Sequence, residues 1–320
     1  MIFDNIKRLS LGSVFLSLLM LVGFCSNTLL NPPEQVVWNN SIFLALPVIP
    51  EIVYVIVAIL LVLLTGLLLC KIVDNHMPLK RREPLLLLFW TIITGAYTFL
   101  HSLSEIHFAV LFVLLSYNKL FSTSKDVDRA SIFLSSMYLG VALLFYSYAV
   151  YIYIPLFFST VKFQPITIKS IIISVVGFLA PLYFSTFFFF FFKDDWFYPI
   201  ATTINNIIPS FPISLIEMSV FQYIATLFLI LLIVFSLALS VKQVGGRSLK
   251  SRYCNFSFFN LLVFSAAILL VFPQNKSTLL ILLIPATMLI TNIFVRIKRD
   301  LYANLLFAAI FAVCVCSCFL

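Results

Sequence analysis

The sequence predicts an all-α fold, a polytopic transmembrane helical bundle of about eleven spans with a cytoplasmic N-terminus. The first observation behind this prediction is composition, because 62% of the 320 residues are hydrophobic and only 10% are charged. A soluble protein carries about 25% charged residues. No hydrophilic stretch is long enough to form a soluble domain, so we interpret residues 1–320 as a single integral membrane domain.

The second observation is the recurrence of apolar runs that approach the length of about 20 residues needed to cross a bilayer. They lie near residues 11–30, 51–70, 85–101, 107–121, 131–148, 150–161, 170–192, 218–240, 254–272, 278–295 and 301–319. The first run is too long for the core of a cleaved signal peptide and has no small-x-small cleavage site. We therefore expect it to be retained as the first span.

The third observation is the placement of the basic residues. With the N-terminus inside, eighteen of the twenty Lys and Arg residues fall in inner loops, and only Lys193 and Lys276 fall outside. This asymmetry follows the positive-inside rule and predicts a multi-pass membrane protein whose N-terminus is cytoplasmic. The inner cations suit anionic membrane lipids. They account for the pI near 9.2 without a nucleic-acid partner.

The two longest outer loops carry the candidate site residues. Glu34 lies in the first of these loops, and the second opens with Lys193, Asp194 and Asp195. Adjacent carboxylates can bind a divalent cation that in turn holds a phosphate, and a lysine such as Lys193 or Lys276 can contact a phosphate directly. The alternatives are that any exposed loop carries a few acids and that Lys276 extends to the membrane interface.

A third candidate lies at the outer turn between the third and fourth spans. His101 and Glu105 are four residues apart and would meet if the turn is helical, with His107 close by. These residue types suit a metal, a proton transfer or a bound substrate. The alternative is structural, because Ser102 and Glu105 form a capping-box pattern at the start of a helix.

Two conspicuous patterns predict packing rather than a site. The six consecutive residues Phe187 to Phe192 would surround a helix, so some must face lipid. Cys314 and Cys318 should share a helix face, with Cys316 on another. No span has an Asp, Glu, Lys or Arg near its middle, which counts against an ion-coupled transporter.

Three stretches resemble an uncharacterised multi-spanning inner-membrane protein family of the Bacteroidetes, a domain of unknown function. The stretches are Val271-Phe-Pro-Gln-Asn-Lys276-Ser-Thr followed by Pro285 and Asn292, Asn118-Lys119-Leu120-Phe121, and residues 128–146 with Gly140. Length and number of spans are also similar over nearly the whole chain. The family has no established activity, so this resemblance implies a location more than a function, namely a multi-pass protein of the bacterial inner (cytoplasmic) membrane.

A second set of features resembles the C-type glycosyltransferases. It comprises the helix with Gly140, the short span after it, the basic loop between Lys162 and Lys169, and the span with Gly177 and Pro181. The resemblance implies a polyprenyl-phosphate-linked sugar as substrate at the outer face. It also implies a catalytic carboxylate in the first outer loop, the position of Glu34. The chain departs from these enzymes in having no outer arginine to hold the donor phosphate.

Two hypotheses of different classes follow. In the first, the protein serves envelope biogenesis and binds or transfers a polyprenyl-phosphate-linked sugar or lipid at the outer (periplasmic) face. Glu34 would then be the general base, Asp194 and Asp195 would position a divalent cation, and Lys276 or Lys193 would contact phosphate. In the second, the chain is a non-catalytic membrane subunit or scaffold that packs against a protein partner in a larger envelope complex.

Overall fold

The protein is a bundle of helices in the computed structural model, which describes residues 11–30, 50–77, 83–123, 128–165, 167–193, 197–207, 219–241, 249–272, 276–297 and 300–319. These ranges contain no strand. The helices are α1 Leu11–Phe24, α2 Ser26–Leu30, α3 Glu51–His76, α4 Glu83–Gly95, α5 Glu105–Phe121, α6 Arg129–Phe145, α7 Ala149–Phe163, α8 Ile168–Lys193, α9 Tyr198–Ile207, α10 Val220–Val241, α11 Leu249–Val271, α12 Leu279–Arg296 and α13 Asp300–Phe319. Short 3₁₀ turns occupy Thr98–Leu100 and Lys276–Thr278.

Among the described residues, six helical segments are long and apolar enough to cross a membrane. They are Ile52–His76, Ile168–Phe191, Val220–Ala238, Leu249–Val271, Lys276–Phe294 and Leu301–Cys318. Shorter apolar helices occur at Gly12–Phe24, Pro84–Gly95, Arg129–Phe145 and Ala149–Phe163. The chain is therefore a helical membrane protein, and each of the eleven predicted runs coincides with helix over most of its described length.

The centre of the bundle is formed by α4 and α12. Every residue from Pro84 to Tyr97 is buried, and most of α12 is buried too. The indole Nε1 of Trp90 donates a 2.8 Å hydrogen bond to the Val62 carbonyl of α3, and the rings of Phe89 and Phe294 lie 4.6 Å apart. Much of the apolar surface of α8, α10 and α13 is exposed, which suits contact with lipid.

The contacts between helix ends show which segment ends lie together at each of the two ends of the bundle. At the His101 end, named for His101 after α4, hydrogen bonds join separate segments. Examples are Thr28 with His101, Thr98 with Gln222, Tyr146 with Thr278, and Tyr151 with the Ile207 carbonyl. We call the opposite end the Gln164 end, after the residue that follows α7. It includes the contact of His76 with Asn118 and that of Lys162 with the Phe256 ring. Each of these contacts joins residues that are far apart in the sequence, so it shows that two separate segments end on the same side of the bundle.

Helices α6 and α8 approach each other unusually closely. A Cβ added at Gly140 would lie 2.2 Å from the Phe178 carbonyl oxygen, and one at Gly177 would lie 2.6 Å from that of Phe133. Small residues permit this kind of backbone approach between membrane helices. The hydroxyls of Ser136 and Ser174 hydrogen-bond across the same interface at 2.8 Å.

The packing predictions are confirmed in the described residues. Within the phenylalanine run, Phe187, Phe188, Phe190 and Phe191 are exposed, whereas Phe189 is buried against Leu144 and Tyr198. Cys314 and Cys318 are buried and Cys316 is exposed, which places Cys316 on another face. The side chain of Phe192 lies outside the described part of the chain.

Candidate functional site

Several predicted site residues lie outside the described residues. These are Glu34, Asp194 and Asp195, together with the side chain of Lys193, whose backbone ends α8. His101, Glu105, His107 and Lys276 are described, and all four lie at the His101 end.

His101 lies in the turn between α4 and α5 and is only 3% exposed. Its Nε2 lies 2.8 Å from the Gly95 carbonyl oxygen, which only accepts, so Nε2 carries the proton and donates. Nδ1 is then the acceptor for the Thr28 hydroxyl at 3.1 Å. Burial lowers the pKa of His101 below its ordinary value of 6.5, which favours the neutral ring. The imidazole thus joins α2 to the end of α4.

His107 occupies the first turn of α5 and is buried as well. Its Nε2 donates to the Leu100 carbonyl at 3.1 Å, and its Nδ1 accepts the backbone N–H of Ser104 at 3.2 Å. Ser104 is the N-cap, and His107 takes the third helical position that Glu or Gln holds in the usual capping box.

This geometry corrects the predicted cap. The sequence pattern suggested that Ser102 and Glu105 form the capping box, but α5 begins at Glu105 itself, with Ser104 before it. The physical reason is the 3₁₀ turn Thr98–Leu100, which holds residues 101–104 outside the helix. His101 and Glu105 therefore do not share a helical turn.

Glu105 is 6% exposed and belongs to a second group of polar side chains. It interacts electrostatically with Tyr146, the residue that ends α6. The Tyr146 hydroxyl hydrogen-bonds Thr278 and Ser277 in the 3₁₀ turn before α12. We call Glu105, Tyr146, Ser277 and Thr278 the Tyr146 cluster. It connects α5, α6 and the turn that carries Lys276.

Aromatic rings pack beside the Tyr146 cluster. The Tyr148 ring lies 5.4 Å from that of Tyr146 and 4.8 Å from that of Phe272, and Tyr151 lies 5.4 Å from Phe272. The Tyr151 hydroxyl donates to the Ile207 carbonyl at the end of α9. Tyrosines suit this location because their rings pack against apolar groups while their hydroxyls find polar partners.

Sequence reasoning missed Tyr146, although it ends one of the stretches on which the first resemblance depends. Its partners Ser277 and Thr278 lie more than 130 residues later in the chain. No local pattern could have paired them. A tyrosine at the end of an apolar run is the one local signal, since a buried hydroxyl needs a hydrogen-bond partner.

The described side chains of the His101 end are not arranged for metal binding or for general-base catalysis. Within the described ranges no group of three or more His, Cys, Asp or Glu side chains is arranged to hold a metal ion. A cavity of about 10 Å³ beside Cys25 and His101 has room for one water molecule at most. Both ring nitrogens of His101 and His107 make hydrogen bonds within the protein, so neither ring is poised as a general base.

Comparison of the chain with protein-family models, with curated proteins and with solved structures finds no match. The two resemblances drawn from the sequence therefore depend on their motifs alone. Within the described residues, the arrangement at the His101 end is a packed polar layer that holds Lys276, which is partly buried, at the surface of the bundle.

Proposed function

We propose that this chain crosses the bacterial inner membrane eleven times, with its N-terminus in the cytoplasm and its His101 end outward. We further propose that it serves envelope biogenesis by binding a polyprenyl-phosphate-linked sugar or lipid at that end. Whether it also transfers the bound group depends on Glu34, Asp194 and Asp195, which lie outside the described residues.

The alternation of segment ends supports the proposed topology. The ends of α3 and α5 meet through His76 and Asn118, and the starts of α5 and α12 meet near Tyr146. Each contact joins segments that the eleven-span arrangement puts on one side. The cations within the described helices and turns divide the same way by their position along the chain. Lys193 and Lys276 are at the His101 end, and the others are at the opposite end: Lys71, Lys119, Arg129, Lys162, Lys169, Lys250, Arg252 and Arg296.

The observation that carries the binding proposal is the Tyr146 cluster. It anchors the turn before α12 through buried hydroxyl contacts, and Lys276 begins that turn. A cation held on a fixed turn at the membrane surface can meet the phosphate of a lipid whose chain lies along the exposed apolar helices. A lysine contributes as a point charge and needs no bidentate geometry.

A short-chain analogue tests this proposal. We expect farnesyl phosphate to raise the Tm of the detergent-solubilised protein saturably, whereas farnesol, which lacks the phosphate, should not. Lys276→Gln should weaken binding about tenfold or more, because a hydrogen bond to a charged group contributes about 1.5–3 kcal/mol. Lys71→Gln is the matched control, since Lys71 is an exposed cation of α3 away from the His101 end.

Two results would count against the proposal. Equal Tm shifts with farnesol and farnesyl phosphate would mean that only the apolar chain is recognised. Equal affinity in wild type and Lys276→Gln would remove Lys276 from the site, whatever the ligand does elsewhere.

The second candidate is a non-catalytic subunit or scaffold. It is favoured by one observation, namely that both histidines at the His101 end have both ring nitrogens engaged inside the protein. Extraction in a mild detergent followed by native mass measurement tests it. A stoichiometric complex of fixed mass, together with no response to farnesyl phosphate, would replace the binding proposal by this one.

A further inference from the structure

A small cavity lies at the Gln164 end, on the opposite side of the bundle from His101 and Lys276. It opens between α6, α7 and α8 and has a volume of about 20 Å³. Its polar lining residues are Thr160, Gln164, Ser170 and Ser174. A space of this size holds about one water molecule or one small group of a larger ligand.

Gln164 is the unusual residue of this cavity. It is 4% exposed, and neither its Nε2 nor its Oε1 has a hydrogen-bond partner among the described residues. A buried amide group without a hydrogen-bond partner destabilises the fold, because it has lost its contacts with water and gained none in the protein. Because both ends of the amide lack partners, exchanging the two atoms would not remedy the deficit. The side chain calls for a ligand that accepts at one atom and donates at another.

The other polar groups of the lining already donate within the protein. The hydroxyl of Thr160 donates to the Leu156 carbonyl at 2.9 Å, and that of Ser170 donates to the Thr167 carbonyl at 2.8 Å. Ser174 shares hydrogen bonds with Ser136 and Tyr153. Gln164 Nε2 is therefore the lining side-chain atom that has hydrogens to offer an incoming acceptor.

Three cations lie close in the sequence to residues that line the cavity. Lys162 lies two residues before Gln164, Lys169 directly precedes Ser170, and Arg129 lies three residues before the lining residue Ile132. All three cations are exposed. The one described acid nearby is Asp128, whose carboxylate accepts from Ser131 at the start of α6. The start of α8, where Thr167 and Ser170 cap each other, adds the positive end of a helix dipole.

We propose that the mouth of this cavity binds the phosphate-bearing headgroup of an anionic phospholipid. One phosphate oxygen enters the cavity and accepts from Gln164 Nε2, a headgroup hydroxyl at the mouth donates to Gln164 Oε1, and the rest of the headgroup and the acyl chains remain outside the cavity. Lys169, which directly precedes the lining residue Ser170, balances the charge of the phosphate. This site is at the opposite end of the bundle from Lys276 and does not depend on the proposed function.

The test compares three probes on the full chain in detergent. Dioctanoyl phosphatidylglycerol carries a phosphate and hydroxyl donors, dioctanoyl phosphatidylcholine carries a phosphate without a hydroxyl, and inorganic phosphate has no lipid part. We expect phosphatidylglycerol to raise the Tm saturably and more than phosphatidylcholine does. In Gln164→Met, which keeps the volume and removes the amide, the affinity for phosphatidylglycerol should fall at least about tenfold.

Gln222→Met is the matched control. Gln222 is also a buried amide, but its Nε2 donates to Thr98 at the His101 end. It should lower the Tm without ligand and leave the phosphatidylglycerol shift unchanged. Gln164→Met should show the reverse, with an unliganded Tm at or above that of wild type, because it removes a polar group that has no partner.

Each outcome decides the source of the ligand or overturns the proposal. An equal shift with inorganic phosphate, lost in Gln164→Met, would keep the phosphate chemistry and assign it to a soluble anion. No shift with any probe would overturn the proposal, and so would a shift that Gln164→Met retains in full, because the lipid would then bind somewhere else.

Discussion

Single hydrogen bonds decide the role of the histidines. His101 donates from Nε2 to a backbone carbonyl and accepts at Nδ1 from a threonine, which uses both nitrogens of the neutral ring. Protonation would place a second proton on Nδ1, opposite a hydroxyl that now donates to it. The Thr28 hydroxyl would have to turn around, and the buried ring would carry a charge. His101 is therefore a structural tie that works only while it is neutral.

The pH dependence of stability tests this role. Burial holds the pKa of His101 below 6.5 in the folded state, so the unfolded chain binds more protons as the pH falls through that value. Stability must then be fully present above about 6.5 and be lost progressively below it. We expect the Tm of wild type to fall between about pH 7 and about pH 5, and to fall less steeply in His101→Gln, in which this position cannot titrate.

Glutamine suits this test because its amide retains one N–H donor and one acceptor. Equal slopes for wild type and His101→Gln would contradict a neutral, buried His101. A lower Tm for the variant at every pH would by itself reflect altered packing and would leave the comparison of slopes intact.

Local sequence patterns predicted part of this site. They placed His101, Glu105 and His107 at one turn, which the structure confirms, since all three belong to the connection between α4 and α5 or the first turn of α5. They misassigned the cap, because Ser102 and Ser104 both precede an acid or a histidine at plausible spacing. Tyr146 was not predicted, because its contact with Thr278 spans 132 residues and leaves no periodic trace in the sequence.

Helix pairs show how small residues set distances between elements. Gly140 of α6 faces the backbone of α8 at Phe178, and Gly177 of α8 faces that of α6 at Phe133. The pair is reciprocal, so an added methyl group on either helix meets a carbonyl oxygen rather than a flexible side chain. The two helices would have to separate along their whole contact.

We expect Gly140→Ala to lower the free energy of unfolding by about 1–3 kcal/mol, the usual range for overpacking. Gly23→Ala is the matched control, because a Cβ at Gly23 has nothing within 4 Å, and alanine favours helix over glycine by about 1 kcal/mol. Thermal unfolding of both variants in detergent measures the difference. A Gly140→Ala variant as stable as Gly23→Ala would mean that α6 and α8 do not approach this closely.

The arrangement of whole helices was less predictable than their existence. Apolar runs located the helices because every backbone polar group in a bilayer must be paired within the segment. They did not reveal that α4 is buried on all sides while α10 exposes much of its surface. In a soluble protein, a partly exposed helix has a polar face toward water, which distinguishes it from a buried helix. In lipid, the face toward a neighbouring helix and the face toward the acyl chains are both apolar, so hydropathy cannot separate them.

The number of crossings is the prediction that concerns the whole molecule. Eleven crossings put the turn after α4 and the turn after α6 on the outside. If only the six long helices crossed, both turns would lie together on the side of residue 80 and residue 125, with no crossing between them. Alkaline phosphatase, active only outside the cytoplasm, and green fluorescent protein, fluorescent only inside, are fused after residues 80, 103, 125 and 147. We expect phosphatase activity at 103 and 147 and fluorescence at 80 and 125, because the cations of the loops near 80 and 125 retain those loops inside.

The same reporter at all four positions would reduce the number of crossings to that of the long helices. Fluorescence at 103 and 147 with phosphatase activity at 80 and 125 would keep the count and reverse the orientation, which would place Lys276 in the cytoplasm and end the proposal of a periplasmic lipid-linked substrate.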